Sequence, residues 1–328
     1  MDNIFRTIYT PEKFPFELNY DSKIVFIGSC FSENIGQRLD SFKFNVDINP
    51  FGILYNPLSI KNSLDLLVHE SVFTEENLFY FNERWNSFFH HSRFSGKDRD
   101  EVLQNINLRL KMSSEFLANA DYLFLTFGTS KVYEFVDTNE IVSNCHKIPS
   151  KKFVEKLLTP DEIIVEYYQL INKLRNFNPK LKIIFTVSPI RHLKDGFLGN
   201  TLSKSILVYA INRINAEFNK TYYFPAYEIV NDDLRDYRFY AEDMLHLNNT
   251  AINYVLESFE KCFFSEETVK IKDSILKLHS AFLHRPFSAE SKAFKDFCRY
   301  NILEVEKIEK KVGNGRLKLY KDYFESYL

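Results

Sequence analysis

With 328 residues, 45% of them hydrophobic and 26% charged, the chain can bury a sizeable core and has the make-up of a globular protein built around one main core. Its 42 basic and 44 acidic side chains leave a formal charge of −2, which gives no electrostatic reason to expect nucleic acid. Four cysteines far apart, Cys30, Cys145, Cys262 and Cys298, indicate neither a disulfide framework nor a zinc site. The start, Met1-Asp2-Asn3-Ile4-Phe5-Arg6, lacks the basic and apolar regions of a secretory signal, and no apolar run is long enough to span a bilayer, so a cytoplasmic protein without a membrane partner is expected. The 33 Phe and 19 Tyr against one Trp fit the codon bias of an AT-rich genome.

In chain order, apolar runs preceded by turn residues occur at 23–27, 43–47, 121–127 and 181–187, with a weaker one at 221–224, and predict strands. A helix follows the first. Segments 57–68, 98–119, 160–176, 201–219 and 248–263 carry apolar residues at three- and four-residue spacing, as in Ile163, Tyr167, Leu170, Ile171 and Leu174, the period of a helix with one buried face. Strand alternating with helix predicts a parallel sheet covered on both faces, and right-handed crossovers then set the carboxyl ends of the strands on one rim, where a site belongs. Residues 69–97 break the rhythm with Phe79-Tyr80-Phe81, Trp85 and Phe88-Phe89-His90-His91, and read as an insertion over that rim. Val132–Val136 and Ile141-Val142 around Asp137-Thr138-Asn139-Glu140 predict a hairpin. Beyond 264 the pattern turns wholly helical. Ser265 with Glu266-Glu267 starts one helix, and 289–312 sets Phe294, Phe297, Asn301, Val305, Ile308 and Val312 on one face, ended by Gly313-Asn314-Gly315.

The run Ile24-Val25-Phe26-Ile27-Gly28-Ser29-Cys30 carries the chemistry, because it leads a buried strand into a hydroxyl at the start of a helix, whose free N–H groups favour an anion. A serine hydroxyl needs a base to attack at neutral pH. Asp243-Met244-Leu245-His246 supplies one: residues three apart in a turn can face the same side, so Asp243 can accept the imidazole N–H and orient His246. Cys30 is a rival thiol nucleophile, set aside on the expectation that its side chain turns into the packing. Gly-x-Gly-x-x-Gly, the P-loop and the Gly-x-Ser-x-Gly elbow are absent, so no nucleotide cofactor is expected. His90, His91, His146 and His192 lack metal-ligand spacing. Arg191 is a candidate for a substrate carboxylate or hydroxyl, its alternative being an ion pair with Asp195 or Asp236.

Gly28-Ser29-Cys30-Phe31-Ser32 resembles the signature of the GSCFA family, a bacterial branch of the SGNH/GDSL hydrolase superfamily. The likeness continues through Asn49-Pro50-Phe51-Gly52-Ile53, Thr126-Phe127-Gly128-Thr129, Asn144-Cys145-His146-Lys147, Thr186–Gly196 and Asp232–His246. It implies a flavodoxin-like three-layer α/β/α fold with a mainly parallel five-stranded sheet over 1–264 and a helical extension over 265–328. It also implies a catalytic triad of Ser29, His246 and Asp243. The superfamily's oxyanion hole maps onto the N–H groups of Ser29 and Gly52, but its asparagine has no counterpart. Gly128-Thr129-Ser130 stands there, leaving the hydroxyls of Thr129 or Ser130 as substitutes, with His192, His90 and His91 as further site candidates. Leu247 stands where the family has proline, a change of backbone rigidity.

Together these readings predict a serine ester hydrolase that forms an acyl-enzyme and removes a small acyl group from a carbohydrate or other hydroxylated acceptor, without cofactor or metal. The same triad would serve an acyltransferase, and a non-catalytic SGNH-fold binding or scaffold protein is the third possibility.

Overall fold

The computed structural model describes residues 7–10 and 12–328. It divides into two compact units, one made of residues 23–36 and 47–256 with a short N-terminal stretch, the other of residues 12–22, 37–46 and 257–328.

Strands and helices alternate along residues 23–263 as the sequence predicts. Strand β1 (Lys23–Gly28) leads into α1 (Cys30–Ser41), β2 (Asn45–Ile48) and α2 (Pro57–Val68). A small hairpin, β3 (Phe79–Phe81) with β4 (Arg84–Asn86), and α3 (Arg99–Ala118) precede β5 (Tyr122–Phe127). Next come β6 (Lys131–Phe135), β7 (Glu140–Val142), β8 (Phe153–Leu157), α4 (Pro160–Phe177), β9 (Lys182–Val187), α5 (Gly196–Glu217) and β10 (Thr221–Tyr223). A short α6 (Ala226–Glu228), a π-helical turn over Ile229–Leu234 and a loop lead to α7 (Asn249–Phe263). The central sheet has the order β10-β9-β5-β1-β2. Its registers are parallel from β1 to β5, β5 to β9 and β9 to β10. The fold is the expected three-layer α/β/α arrangement.

Helix starts follow local chemistry. Asn56 accepts the Ser59 N–H ahead of Pro57 at the head of α2, and Thr159 with Glu162 forms a capping box at α4, again with proline in the first turn. Successive residues of a strand face opposite sides of the sheet. Hence Val25, Ile27, Leu123, Leu125, Ile183 and Phe185 all enter one core with Ile60 and Leu64 of α2, Tyr167 and Leu170 of α4, and Leu207 and Ile211 of α5.

The predicted hairpin is β6 with β7, but a third strand, β8, pairs on the other side of β6. The aromatics of 69–97 pack among themselves and onto this small sheet: Phe79 stacks on Phe88 at 4.2 Å, and Phe88 lies 4.7 Å from Phe135.

The second unit holds α8 (Glu266–Leu283), α9 (Lys292–Val312) and α10 (Lys318–Glu325). Ser265 and Ser291 cap α8 and α9. The face of α9 that is buried comprises Phe294, Cys298, Asn301, Val305, Ile308 and Val312, and the helix ends at Gly313 with φ of 99°. Phe14 stacks on Phe263 and Tyr20 on Phe44, each at 4.4 Å.

Candidate active site

At the carboxyl ends of β1, β5 and β9, loops from separated parts of the first unit enclose a cavity of about 510 Å³, the place where an open parallel sheet receives ligands. Its wall includes Ser29 and Cys30 from the β1–α1 turn, Tyr55 before α2, Thr129 after β5, Ser188, Arg191 and His192 after β9, and His246 before α7.

Local hydrogen bonds build the Asp243–His246 turn. Asp243 Oδ1 accepts the N–H groups of Leu245 and His246, each at 2.9 Å, while its Oδ2 lies 2.5 Å from His246 Nδ1. The His246 side-chain bond and the two backbone N–H groups hold the Asp243 carboxyl down at about 2, so it is an acceptor at any ordinary pH. Fixing Nδ1 in this way leaves Nε2 as the ring atom free to take a proton. Both residues are about half exposed. Among the described residues, no hydrogen bond joins His246 to Ser29 or Cys30. Such bonds often form only when substrate closes the site.

Ser29 is enclosed, with 1% of its surface exposed. Its N–H donates to the Thr126 carbonyl and its Oγ accepts the Phe31 N–H, both at 3.3 Å. The expected orientation of Cys30 is overturned: it is partly exposed on the cavity wall rather than turned into the packing. The other implied oxyanion donors are occupied. Gly52 N–H closes a tight turn onto the Asn49 carbonyl at 2.8 Å. Both Thr129 Oγ1 and Ser130 Oγ bond Ser203 Oγ, at 3.0 and 3.1 Å, and Ser130 N–H donates to that same oxygen at 2.7 Å.

The histidine candidates separate. His90 is buried within the insertion, stacked 4.9 Å from Phe51, with Nδ1 3.0 Å from Ser87 Oγ, and it does not reach the cavity. His91 and His192 do. His192 packs edge-on against Tyr55 at 5.5 Å, and burial lowers its pKa to about 4, so it is a neutral imidazole at pH 7. Arg191 does not take its expected acidic partners: Asp195 pairs with Lys131 and Asp236 with Arg238. Instead the guanidinium lies over Tyr237 and Tyr240, 5.9 and 5.6 Å from the ring centres, with the Tyr237 hydroxyl at 3.4 Å. Lys194, on the same wall, bonds the Tyr133 hydroxyl at 3.1 Å.

One residue escaped the sequence reading. Lys204 of α5 is fully buried, and its Nζ donates to the carbonyls of Gly128 at 2.7 Å and Ser188 at 2.6 Å, the residues that follow β5 and β9. Burial brings its pKa down to about 7. The signal was present as a lysine in register with Leu207, Ile211 and Ile214 on the buried face of its helix. Among the described residues, no group of three His, Cys, Asp or Glu is placed to hold a metal ion.

The GSCFA family model matches residues 23–259. No curated protein matches the chain. Solved structures similar to it include three carbohydrate-active esterases. A carbohydrate esterase family 3 protein from Talaromyces cellulolyticus aligns at 12% identity over 51% of this chain and 67% of its own, with a TM-score of 0.26. The acetyl xylan esterase Est2A from Butyrivibrio proteoclasticus aligns at 13% identity over 63% and 56%, with a TM-score of 0.31. A family 3 carbohydrate esterase from Clostridium thermocellum aligns at 12% identity over 77% and 98%, with a TM-score of 0.32.

Proposed function

The chain belongs to the GSCFA family, and from that premise we propose that it is a carboxylic ester hydrolase working through a covalent acyl-enzyme in the rim cavity. One observation carries the reading: a histidine whose Nδ1 is fixed by a carboxylate shares a cavity with the nucleophile-bearing turn that ends β1. In this scheme His246 Nε2 takes the proton of the attacking group and returns it to the leaving alcohol, and Asp243 stabilises the imidazolium between the two transfers. The turn offers Ser29 Oγ and Cys30 Sγ. At the head of α1 the aligned peptide dipoles favour the negative charge that develops on the carbonyl oxygen.

The cavity suits a small acyl group on a hydroxylated acceptor. Its wall mixes Tyr55 and Tyr133 with Asn144, Ser188, Arg191 and Lys194, and among the described residues neither Arg191 nor Lys194 has a carboxylate partner. A carbohydrate ester, including one that carries an acidic group, meets these donors.

Turnover of short-chain aryl esters, followed with and without a sugar acceptor, tests the proposal. His246→Ala removes the base and should lower kcat by ~10²–10⁴-fold, and Asp243→Asn should fall within the same range while leaving KM little changed. Free acid as the product supports hydrolysis, whereas acylated sugar at the expense of free acid identifies transfer. Wild-type protein that leaves every ester intact, or turnover that survives His246→Ala, contradicts the proposal.

A further inference from the structure

The two nucleophiles of the turn stand one residue apart and are not equivalent. Ser29 completes the sheet: its N–H continues the hydrogen bonding between β1 and β5 by reaching Thr126, its Oγ holds the Phe31 N–H, and 1% of it is exposed. Gly28 forces this. With φ of 143° and any Cβ only 2.3 Å from the Thr126 carbonyl oxygen, the backbone here presses against β5 in a conformation open to glycine alone, and the next residue is held against that strand. Cys30 follows as the first residue of α1, partly exposed on the same wall as His246.

The surroundings of the sulfur differ as well. Burial raises the thiol of Cys30 above its ordinary value, and against it the backbone N–H groups of Cys30 and Phe31 and the charge of buried Lys204 favour the thiolate. The effect is reciprocal, a thiolate at Cys30 raising Lys204. A thiol so placed needs a base to attack at neutral pH, and the carboxylate-oriented histidine of the cavity is of that kind. Cys145 also reaches the wall, but from the loop after β7 and with no helix start behind it.

We infer that Cys30, and not Ser29, is the nucleophile of this cavity. The inference rests on the ester-hydrolase reading and changes its intermediate from an oxygen ester to a thioester. His246 Nε2 takes the thiol proton as Sγ bonds to the ester carbonyl carbon, whose π electrons move onto oxygen. Collapse re-forms the carbonyl and breaks the carbon–oxygen bond, and the leaving alkoxide takes the proton from Nε2. Water then attacks the thioester and gives its proton to Nε2. The carbon–sulfur bond breaks, the acid departs, and the proton returns to sulfur. No oxidant or further reactant is required.

Two readouts on the full-length chain test it, one of them independent of ester turnover. Iodoacetamide should alkylate Cys30 faster than Cys145, Cys262 or Cys298, as mapped by peptide mass spectrometry; slower labelling of Cys30 than of Cys145 overturns the inference. With a short-chain aryl ester, Cys30→Ala should lose ~10³-fold or more in kcat. Ser29→Ala should still acquire the acyl group at residue 30, and neutral hydroxylamine should release it as it releases a thioester. An acyl group on Ser29 that resists hydroxylamine, or Cys30→Ala within about tenfold of wild type, a loss of under ~1.4 kcal/mol, overturns the inference while leaving the hydrolase reading intact. Wild-type protein without any ester turnover fails that reading instead, and the alkylation order then decides the reactivity of Cys30 alone. Circular dichroism of Cys30→Ala and partial rescue by Cys30→Ser separate lost chemistry from lost fold.

Discussion

His90 shows how a candidate site residue becomes a packing residue. Enclosed against Phe51, Phe73 and Phe94, it has a pKa lowered to about 3 by burial and by the neighbouring His146, whereas an unfolded histidine titrates near 6.5. Between those values the unfolded chain binds more protons than the folded one, so stability falls as pH drops through 6.5 towards 3. His192, lowered to about 4, acts with the same sign. Urea unfolding at pH 7 and pH 5 should therefore show wild type losing stability on acidification and His90→Phe losing less, since phenylalanine keeps the ring contacts without a proton to bind. Equal losses in the two proteins would contradict this assignment. Sequence alone could not separate His90 from His91, because neighbours on an irregular segment can face opposite ways. Only the turn that brings the β-carbon of His91 to 2.2 Å from where a Cβ on Gly52 would stand shows which one reaches the rim.

At the scale of elements, the strands and helices of the central sheet were legible because burial imposes a period on them. The run 23–27 became Lys23–Gly28, and 160–176 became Pro160–Phe177. β8 and α10 carried no such signal. β8 is exposed along most of its length, and α10 is eight residues with two of them buried, so neither shows a long apolar stripe. The Asp243–His246 pairing was readable from spacing because it is local. The facing of Cys30 was not, since a single positive-φ glycine and its contact with β5 set it. α5 likewise hides a tie between strands. Lys204→Met leaves the Gly128 and Ser188 carbonyls without their donor and should cost ~2–4 kcal/mol in urea unfolding, from two buried acceptors left unpaired. The lysine's folded pKa, about 7, lies below the unfolded 10.5. The unfolded chain thus binds more protons in that window, and the Lys204 contribution makes stability rise with pH from 7 towards 10.5. That rise should be missing in Lys204→Met; a variant with wild-type stability and an unchanged pH slope would contradict the role.

Across the whole molecule, the cavity draws its wall from segments around residues 29, 55, 130, 145, 190 and 246. These meet only when the parallel sheet is assembled, so the site is a property of the folded first unit rather than of any motif. Among the described residues, no helix is long and apolar enough to cross a membrane. Within the second unit Lys272 pairs with Glu260 at 2.5 Å, and Arg316 donates to the Tyr20 carbonyl at 2.7 Å. Covalent acylation at the end of β1 is tested most directly by acid quenching of the protein during turnover of p-nitrophenyl acetate. Tryptic peptide 24–38, Ile24 to Arg38, should carry one acetyl group in the native protein and none when the protein is denatured before the ester is added. Ester consumed while that peptide stays unmodified would contradict the account.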